Sequence, residues 1–269
     1  FRRGLFRSTL AHADGSALIV MTAAVADYRP AEIAPHKLKK DALGDAPSGS
    51  LTRNPYILAE LAGRAPVVEP GLQDLLTHAS GRVIATTEVQ RAVVDSEATF
   101  IVVPTPSGSD GRFSSAHVTS AVREIGAALR NKDGYHLGGI TSTGMPCSTA
   151  GPIRQALEMS SGRFVGESLG LCYNPEFIAI GRVIRDMLQP DFVLIGESDP
   201  RAGELLASVY GRVCDNRPDI RRMSLTNAEI TKIAVNSFIT TKISFANMVS
   251  DICDQIADAD ATTVLSAVG

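Results

Sequence analysis

The sequence predicts a doubly wound α/β fold: a mostly parallel sheet that runs into one long helix. Three observations predict it. Short apolar, β-branched runs recur along the 269 residues and end in turn residues; segments with apolar residues at three- and four-residue spacing lie between most of them; and from Leu225 to about Asp258 the helical pattern runs unbroken. Strands that alternate with helices form a parallel sheet covered on both faces, and such strands read as continuous apolar runs.

The first strand is Ala17–Val25, ALIVMTAAV. Ala42–Ser50, rich in Gly, Pro and Ser, is a loop. A helix from about Pro55 to Ala62 stops at the break Arg64–Pro66, and another opens after Glu69-Pro70-Gly71. Arg82–Thr86, Thr99–Val103, Leu137–Thr141, Leu169–Tyr173 and Asp191–Ile195 are too short for helices and β-branched enough for buried strands. Ser115–Arg130, Thr149–Met159 and Pro200–Val213 carry the amphipathic spacing of covering helices. Along the final helix Ile230, Ile233, Phe238, Ile243, Met248 and Ile252 leave few polar faces, so it needs cover on more than one side, from a second domain or a second subunit. No internal repeat is present.

Composition narrows the function. A hydrophobic content of 44% supports a large core, while a net charge of −3 and a pI near 6.0 offer no broad attraction to nucleic acid or an anionic membrane. Lys37-Leu38-Lys39-Lys40 is the one dense basic cluster. Four cysteines without a Cys-x-x-Cys pair predict neither a zinc site nor a disulfide framework, and no other metal site is expected; a cytoplasmic location fits. No apolar run approaches the roughly 20 residues of a membrane span, and Phe1-Arg2-Arg3-Gly4 does not open a secretory signal.

Candidate chemistry gathers at strand ends, where open α/β sheets bind ligands. Thr105 sits between two prolines after a strand, and Thr143 follows the next one in ITSTGMPCST. Each is either a cleft hydroxyl or a turn residue, and Thr143 in its cleft role would position a water or a cofactor amide. Glu176 in YNPEF follows a proline at the end of a buried strand, as an oriented, partly desolvated base would, or as an acidic residue at a helix start. Lys232 and Asn236 stand four apart on one face of the long helix among Ile233, Val235 and Ile239. A lysine there answers a developing oxyanion or snorkels to the surface. No Gly-x-Gly-x-x-Gly follows any predicted strand, so the usual cradle for a dinucleotide pyrophosphate is lacking.

The ordered set VEPGLQDLL, ATTEVQRAV, FIVVPTPSGSDGRF, STGMPCST, CYNPEFIAIG, PDFVLIG and AEITKIAVNSFITTKISFAN, between Val68 and Asn247, resembles the nucleotide-sugar 6-dehydrogenases, the UDP-glucose and UDP-N-acetylmannosamine group. The resemblance covers about residues 66–269. It implies a Rossmann-like NAD-binding domain, partial here, over 67–224, and a central helix opening a dimerisation region over 225–269. It further implies NAD-dependent oxidation of the C6 alcohol of a UDP-sugar to the carboxylate, in a homodimer joined through the long helix. By motif Thr86, Thr105 and Thr143 would touch NAD, Thr143 and Glu176 would hold the catalytic water, and Lys232 with Asn236 would stabilise oxygen charge near C6. The family's glycine-rich turn and its Gly-Gly-x-Cys-x-x-Lys-Asp nucleophile motif are not in the chain, and Gly144 and Cys147 stand where the family usually has Val and Gly. The expectation is weak or no NAD binding and no turnover by this chain itself.

Residues 1–66 resemble another family. IVMTAAVADYRPAEIAPHKLKKD and LTRNPYILAELAGR are similar to phosphopantothenoylcysteine synthetases, which use CTP to join cysteine to 4'-phosphopantothenate. That resemblance implies CTP contacts at Asp27, Lys37 and Asn54, with Lys37 on the phosphates; Tyr56 replaces the usual Asp. The chain therefore reads as a fusion with its join near Ala65–Val68. Its first strand is expected to cover the edge that the dehydrogenase sheet would otherwise leave bare. The alternatives are a CTP-dependent ligase fragment and a non-catalytic module that dimerises through the helix.

Overall fold

Parallel strands need neighbours on both edges and cover on both faces, and the order of the apolar runs supplies both. A computed structural model describes residues 18–21, 28–30, 51–53, 69–79, 84, 86–107, 111–178 and 181–268. Its main sheet has six strands: β1 (Leu18–Met21), β4 (Ala98–Ile101), β5 (His136–Ile140), β6 (Leu169–Tyr173), β7 (Phe192–Glu197) and β8 (Asp219–Ser224), in the order β1-β4-β5-β6-β7-β8. The first four run parallel; β7 pairs antiparallel with β6, and β8 parallel with β7. β2 (Tyr28–Pro30) and β3 (Leu51–Arg53) form a separate antiparallel pair.

β6 is buried at all five positions because successive side chains enter different cores. Leu169, Leu171 and Tyr173 pack with residues of α3 (Ala116–Leu129) and α4 (Arg154–Ser161), including Val122, Leu129 and Leu157. Cys172 faces the opposite core, with Val193, Ile195 and Leu206 of α6 (Pro200–Val213). Each aliphatic side chain so buried contributes about 1.5–3 kcal/mol. A third cluster joins α1 (Leu72–His78), α5 (Val183–Leu188) and the end of α6 through Leu75, Ile184, Leu188 and Val213. The short helix α2 (Val89–Val94) packs on α3.

Helix ends follow local chemistry. Asp199 caps α6 by accepting from the Ala202 N–H at 3.1 Å, with Pro200 in the first turn where no N–H is needed. The first turns before α4, Thr149–Ile153, are wound wider than an α-helix around Pro152. The long helix α7 (Leu225–Cys253) starts from Ser224, whose hydroxyl accepts from the Asn227 N–H, and is followed by α8 (Ala261–Val268).

Within the predicted strand Ala17–Val25, Leu18–Met21 takes the edge beside β4, and the predicted β4, β5, β6 and β7 each fall within about two residues of their observed limits. Arg82–Thr86 does not behave as a strand where it is described: Ile84 and Thr86 are irregular, and Ile84 is 85% exposed. An apolar run becomes a parallel strand only beside a free sheet edge, and here β1 occupies that edge. The long helix ends at Cys253 rather than near Asp258. β8 escapes sequence reading because Asp219, Arg221 and Arg222 give this edge strand a polar pattern. The helix expected from Pro55 to Ala62 and the candidates Asp27, Lys37 and Asn54 lie outside the described residues.

Candidate functional site

Three loops leave the carboxyl ends of three adjacent parallel strands, and each carries a predicted site residue. Thr105 follows β4, Thr143 follows β5 and Glu176 follows β6. Backbone and hydroxyl contacts lock these loops together. The Ser142 hydroxyl accepts from the Val103 N–H and lies 2.7 Å from the Val103 carbonyl, to which it donates. The Asn174 N–H donates to the Ile140 carbonyl at 2.8 Å. The Asn174 side chain is itself held, donating to the Leu194 carbonyl and accepting from the Tyr210 hydroxyl at 2.5 Å, so the turn into Pro175-Glu176 is fixed from beneath.

Lys232 comes to this edge from the second turn of α7. It is 9% exposed, its ammonium donates to the Glu176 carbonyl oxygen, and it lies 4.3 Å from the centre of the Phe177 ring. Burial draws the Lys232 ammonium below the usual lysine range, against the raising effect of Glu176. The carboxyl of Glu176 moves the other way. Although the residue as a whole is exposed, partial desolvation raises its carboxyl above the usual range, against the lowering effect of Lys232. Burial thus disfavours the charged form of both groups at the strand ends, an arrangement found at sites that handle protons and in structural ion pairs alike. Glu176, with Asn174, Phe177, Arg185 and Tyr210, lines a cleft of about 340 Å³; Lys232 and Thr143 are not part of its lining.

Of the remaining predicted residues, Thr143 and Thr105 are half-buried at the same sheet edge. Thr86 is exposed before α2, where its hydroxyl accepts from the Glu88 N–H at 2.9 Å. Asn236 is exposed, one turn beyond Lys232 on α7. Among the described residues no group of acidic, His and Cys side chains is able to hold a metal ion, and no helix is long and apolar enough to cross a membrane.

Sequence reasoning missed four residues. Glu229, one turn before Lys232, is fully buried, and its Oε1 accepts from the Ser148 hydroxyl, the Thr149 N–H and the Thr149 hydroxyl at 2.7–2.8 Å. Tyr173, at the end of β6, accepts from the Gly144 N–H at 3.4 Å; burial, opposed by that hydrogen bond, pushes its hydroxyl up to about 12. Asn174 and Tyr210 form the pair described above. The one available signal for Glu229 was its place one turn before Lys232 on the predicted helix. The tyrosines read as ordinary core.

For a dinucleotide, the residues of the chain suit one part and not another. Threonine hydroxyls stand at adjacent strand ends, but the sequence after β1, Thr22-Ala23-Ala24-Val25, has no glycine with which to approach a pyrophosphate.

Comparison with known proteins gives a consistent set of relatives. Residues 57–214 match the NAD binding domain of the UDP-glucose/GDP-mannose dehydrogenase family and residues 226–269 its central domain. Residues 3–70 match the DNA/pantothenate metabolism flavoprotein C-terminal domain. The chain is 35% identical to the UDP-glucose 6-dehydrogenase AglM of Haloferax volcanii over 77% of its own length and 48% of that protein. It is 34% identical to a GDP-mannose 6-dehydrogenase of Pseudomonas aeruginosa over 72% of its length and 44% of the relative. Among solved structures, a ternary complex of GDP-mannose dehydrogenase from Pseudomonas aeruginosa superposes with a TM-score of 0.74 at 33% identity, covering 78% of this chain and 48% of that one. A UDP-glucose dehydrogenase from Pyrobaculum islandicum gives 0.73 at 36%, covering 80% and 49%. The chain thus spans about half the length of the curated relatives it matches.

Proposed function

The chain belongs to the UDP-glucose/GDP-mannose dehydrogenase family, and on that premise we propose that it carries the catalytic edge of an NAD-dependent nucleotide-sugar 6-dehydrogenase, which oxidises the C6 alcohol of a UDP-sugar to the carboxylate. The juxtaposition of Lys232 and Glu176 at the ends of the parallel strands carries this reading. Lys232 supplies positive charge to an oxygen on C6, with Asn236 beside it. Thr143 and Glu176 hold the water that enters the product, and Thr86, Thr105 and Thr143 contact NAD. Two NAD, bound in turn, would supply the two hydride acceptors that the four-electron oxidation of alcohol to carboxylate needs; the pyrophosphate end of that site is the weaker one, for want of a glycine turn. Residues 67–224 form the nucleotide-binding part and residues 225–269 the start of the central, dimerising part. The reaction takes place in the cytoplasm.

A homodimer through α7 accounts for the apolar face it leaves open, where Phe238 is 66%, Ile243 56% and Ile252 52% exposed. A second reading concerns residues 1–66, whose match to the pantothenate-metabolism domain favours a CTP-binding segment with Asp27, Lys37 and Asn54 at the nucleotide. Binding of CTP that disappears in Lys37→Ala supports it; CTP binding unaffected by that change removes it.

Two measurements test the main proposal. Calorimetric titration of the chain with NAD is expected to give an affinity weaker than micromolar, and a micromolar constant would remove the argument from the missing glycine turn. The second grafts residues 86–253 in place of the matching part of the Haloferax volcanii enzyme. That chimera is expected to form NADH with UDP-glucose and to lose the activity in Lys232→Met. A chimera that folds and binds NAD but does not turn over, or one indifferent to Lys232→Met, refutes the assignment.

A further inference from the structure

Glu229 presents an arrangement that no proposed role has used. Its carboxyl is wholly buried, one oxygen takes three hydrogen bonds from Ser148 and Thr149, and the other, Oε2, has no partner among the described residues. A buried polar atom without a partner costs about 1–3 kcal/mol, so stability alone does not favour a carboxyl here over an apolar side chain. The contacts it does make all lead to one place. Ser148 and Thr149 end the loop from β5 that carries Thr143, and Glu229 stands three residues before Lys232, one turn away on the same side of α7. Gly144, the neighbour of Thr143, fits against this junction: a Cβ there would lie 2.6 Å from the Ser148 hydroxyl and 3.4 Å from Glu229 Oε1. The Gly144 N–H is meanwhile tied to Tyr173, three residues before Glu176.

We propose that Glu229 is a positioning residue: it straps the Thr143 loop to α7 and so fixes the Thr143 hydroxyl relative to the Lys232 ammonium. Its catalytic consequence rests on the dehydrogenase reading, whereas the strap itself does not. Without it the β5 loop keeps its tie to β4 through Ser142, but toward the helix that bears Lys232 it keeps only the weak contact of the Thr226 hydroxyl with the Cys147 thiol at 3.9 Å. Errors of about 1 Å in such a separation are enough to slow an oriented reaction by two orders of magnitude.

The test uses Glu229→Ala, Glu229→Gln and Ser148→Ala. Amide hydrogen exchange on the purified chain is expected to accelerate about ten-fold or more in Glu229→Ala over residues 143–151, with β4, β5 and β6 unchanged. Glu229→Gln, which keeps an oxygen for Thr149, restores most of the protection, and Ser148→Ala gives a smaller local effect. Uniform acceleration across the sheet, or none in the loop, overturns the proposal. In the active chimera, Glu229→Ala is expected to lower kcat about ten-fold and to leave KM for UDP-glucose within about two-fold, with Glu229→Gln restoring most of the rate. A raised KM at unchanged kcat overturns the catalytic part. A chimera without turnover, alongside a loop that loosens in Glu229→Ala, counts against the dehydrogenase reading and leaves the strap standing.

Discussion

Replacing Cys147 by glycine should stabilise the protein, and the structure sets the size of the effect. Cys147 adopts φ +70°, the left-handed region, in the same loop that carries Thr143. An L side chain held there costs about 1–2 kcal/mol through the clash of its Cβ with the following carbonyl. Glycine removes that clash but brings about 0.5–1 kcal/mol of additional backbone entropy to be lost on folding. The contacts forfeited are slight, since Cys147 is exposed and, among the described residues, its thiol accepts a single weak contact from the Thr226 hydroxyl, at 3.9 Å. The net expectation is a gain of about 0.5–1 kcal/mol for Cys147→Gly, against no gain for Cys147→Ala, which keeps the Cβ. Urea unfolding under reducing conditions, followed by far-UV circular dichroism, resolves the two variants. If Cys147→Ala stabilises as much as Cys147→Gly, the thiol and not the backbone is responsible. If glycine destabilises, the left-handed conformation is not a source of strain.

Other predictions follow from buried charge. In Lys232→Met the Glu176 carboxyl loses the partner that lowers its pKa, so its titration, read by carbon-13 NMR, should move to still higher pH; no change would mean that the two groups do not interact. His136 is buried between Thr99, Ser96 and Lys132, and desolvation holds its pKa down at about 4. Because the unfolded chain binds this proton near pH 6.5 and the folded chain only near 4, the stability from neutral His136 is full above about 6.5. It falls as pH drops through that window, by at most about 3 kcal/mol, and His136→Gln should flatten this part of the curve of stability against pH. Arg163 donates to the carbonyls of Leu129, Lys132, Gly134 and Ser168, closing the end of α3. Arg163→Ala is expected to lower stability by about 2–3 kcal/mol in the same denaturation assay, and a loss under about 0.5 kcal/mol would show the clamp to be ornamental.

Much of the architecture could be read from the chain because the physics that fixes it is local or one-dimensional. Leu169–Tyr173 is apolar at every position, and only a strand covered on both faces uses such a run. Pro200–Val213 begins at the proline after a capping aspartate and keeps its apolar spacing to the end. The same reasoning misses Asp219–Ser224, whose arginines disguise an edge strand, and of the predicted strand Arg82–Thr86 the two described residues, Ile84 and Thr86, are irregular. Pairing partners are a property of the assembled sheet, and neither run carries that information.

The candidate site divides along the same line. Thr105, Thr143, Glu176 and Lys232 were legible by sequence alone, because each stands at a strand end or among apolar helix neighbours where its residue type is out of keeping. The contact between Lys232 and the Glu176 loop was not. Ile140 pairs with Tyr173, so the loops after β5 and β6 leave side by side, and α7 then lays Lys232 against the Glu176 carbonyl. Glu229 shows the limit most plainly. Residue type and helical spacing give its position on α7, but its partners Ser148 and Thr149 lie about eighty residues earlier in the chain. Hydrogen bonds across such separations depend on where the folded backbone brings two groups within 3 Å, a condition set by sheet order and helix packing rather than by the residues along either segment.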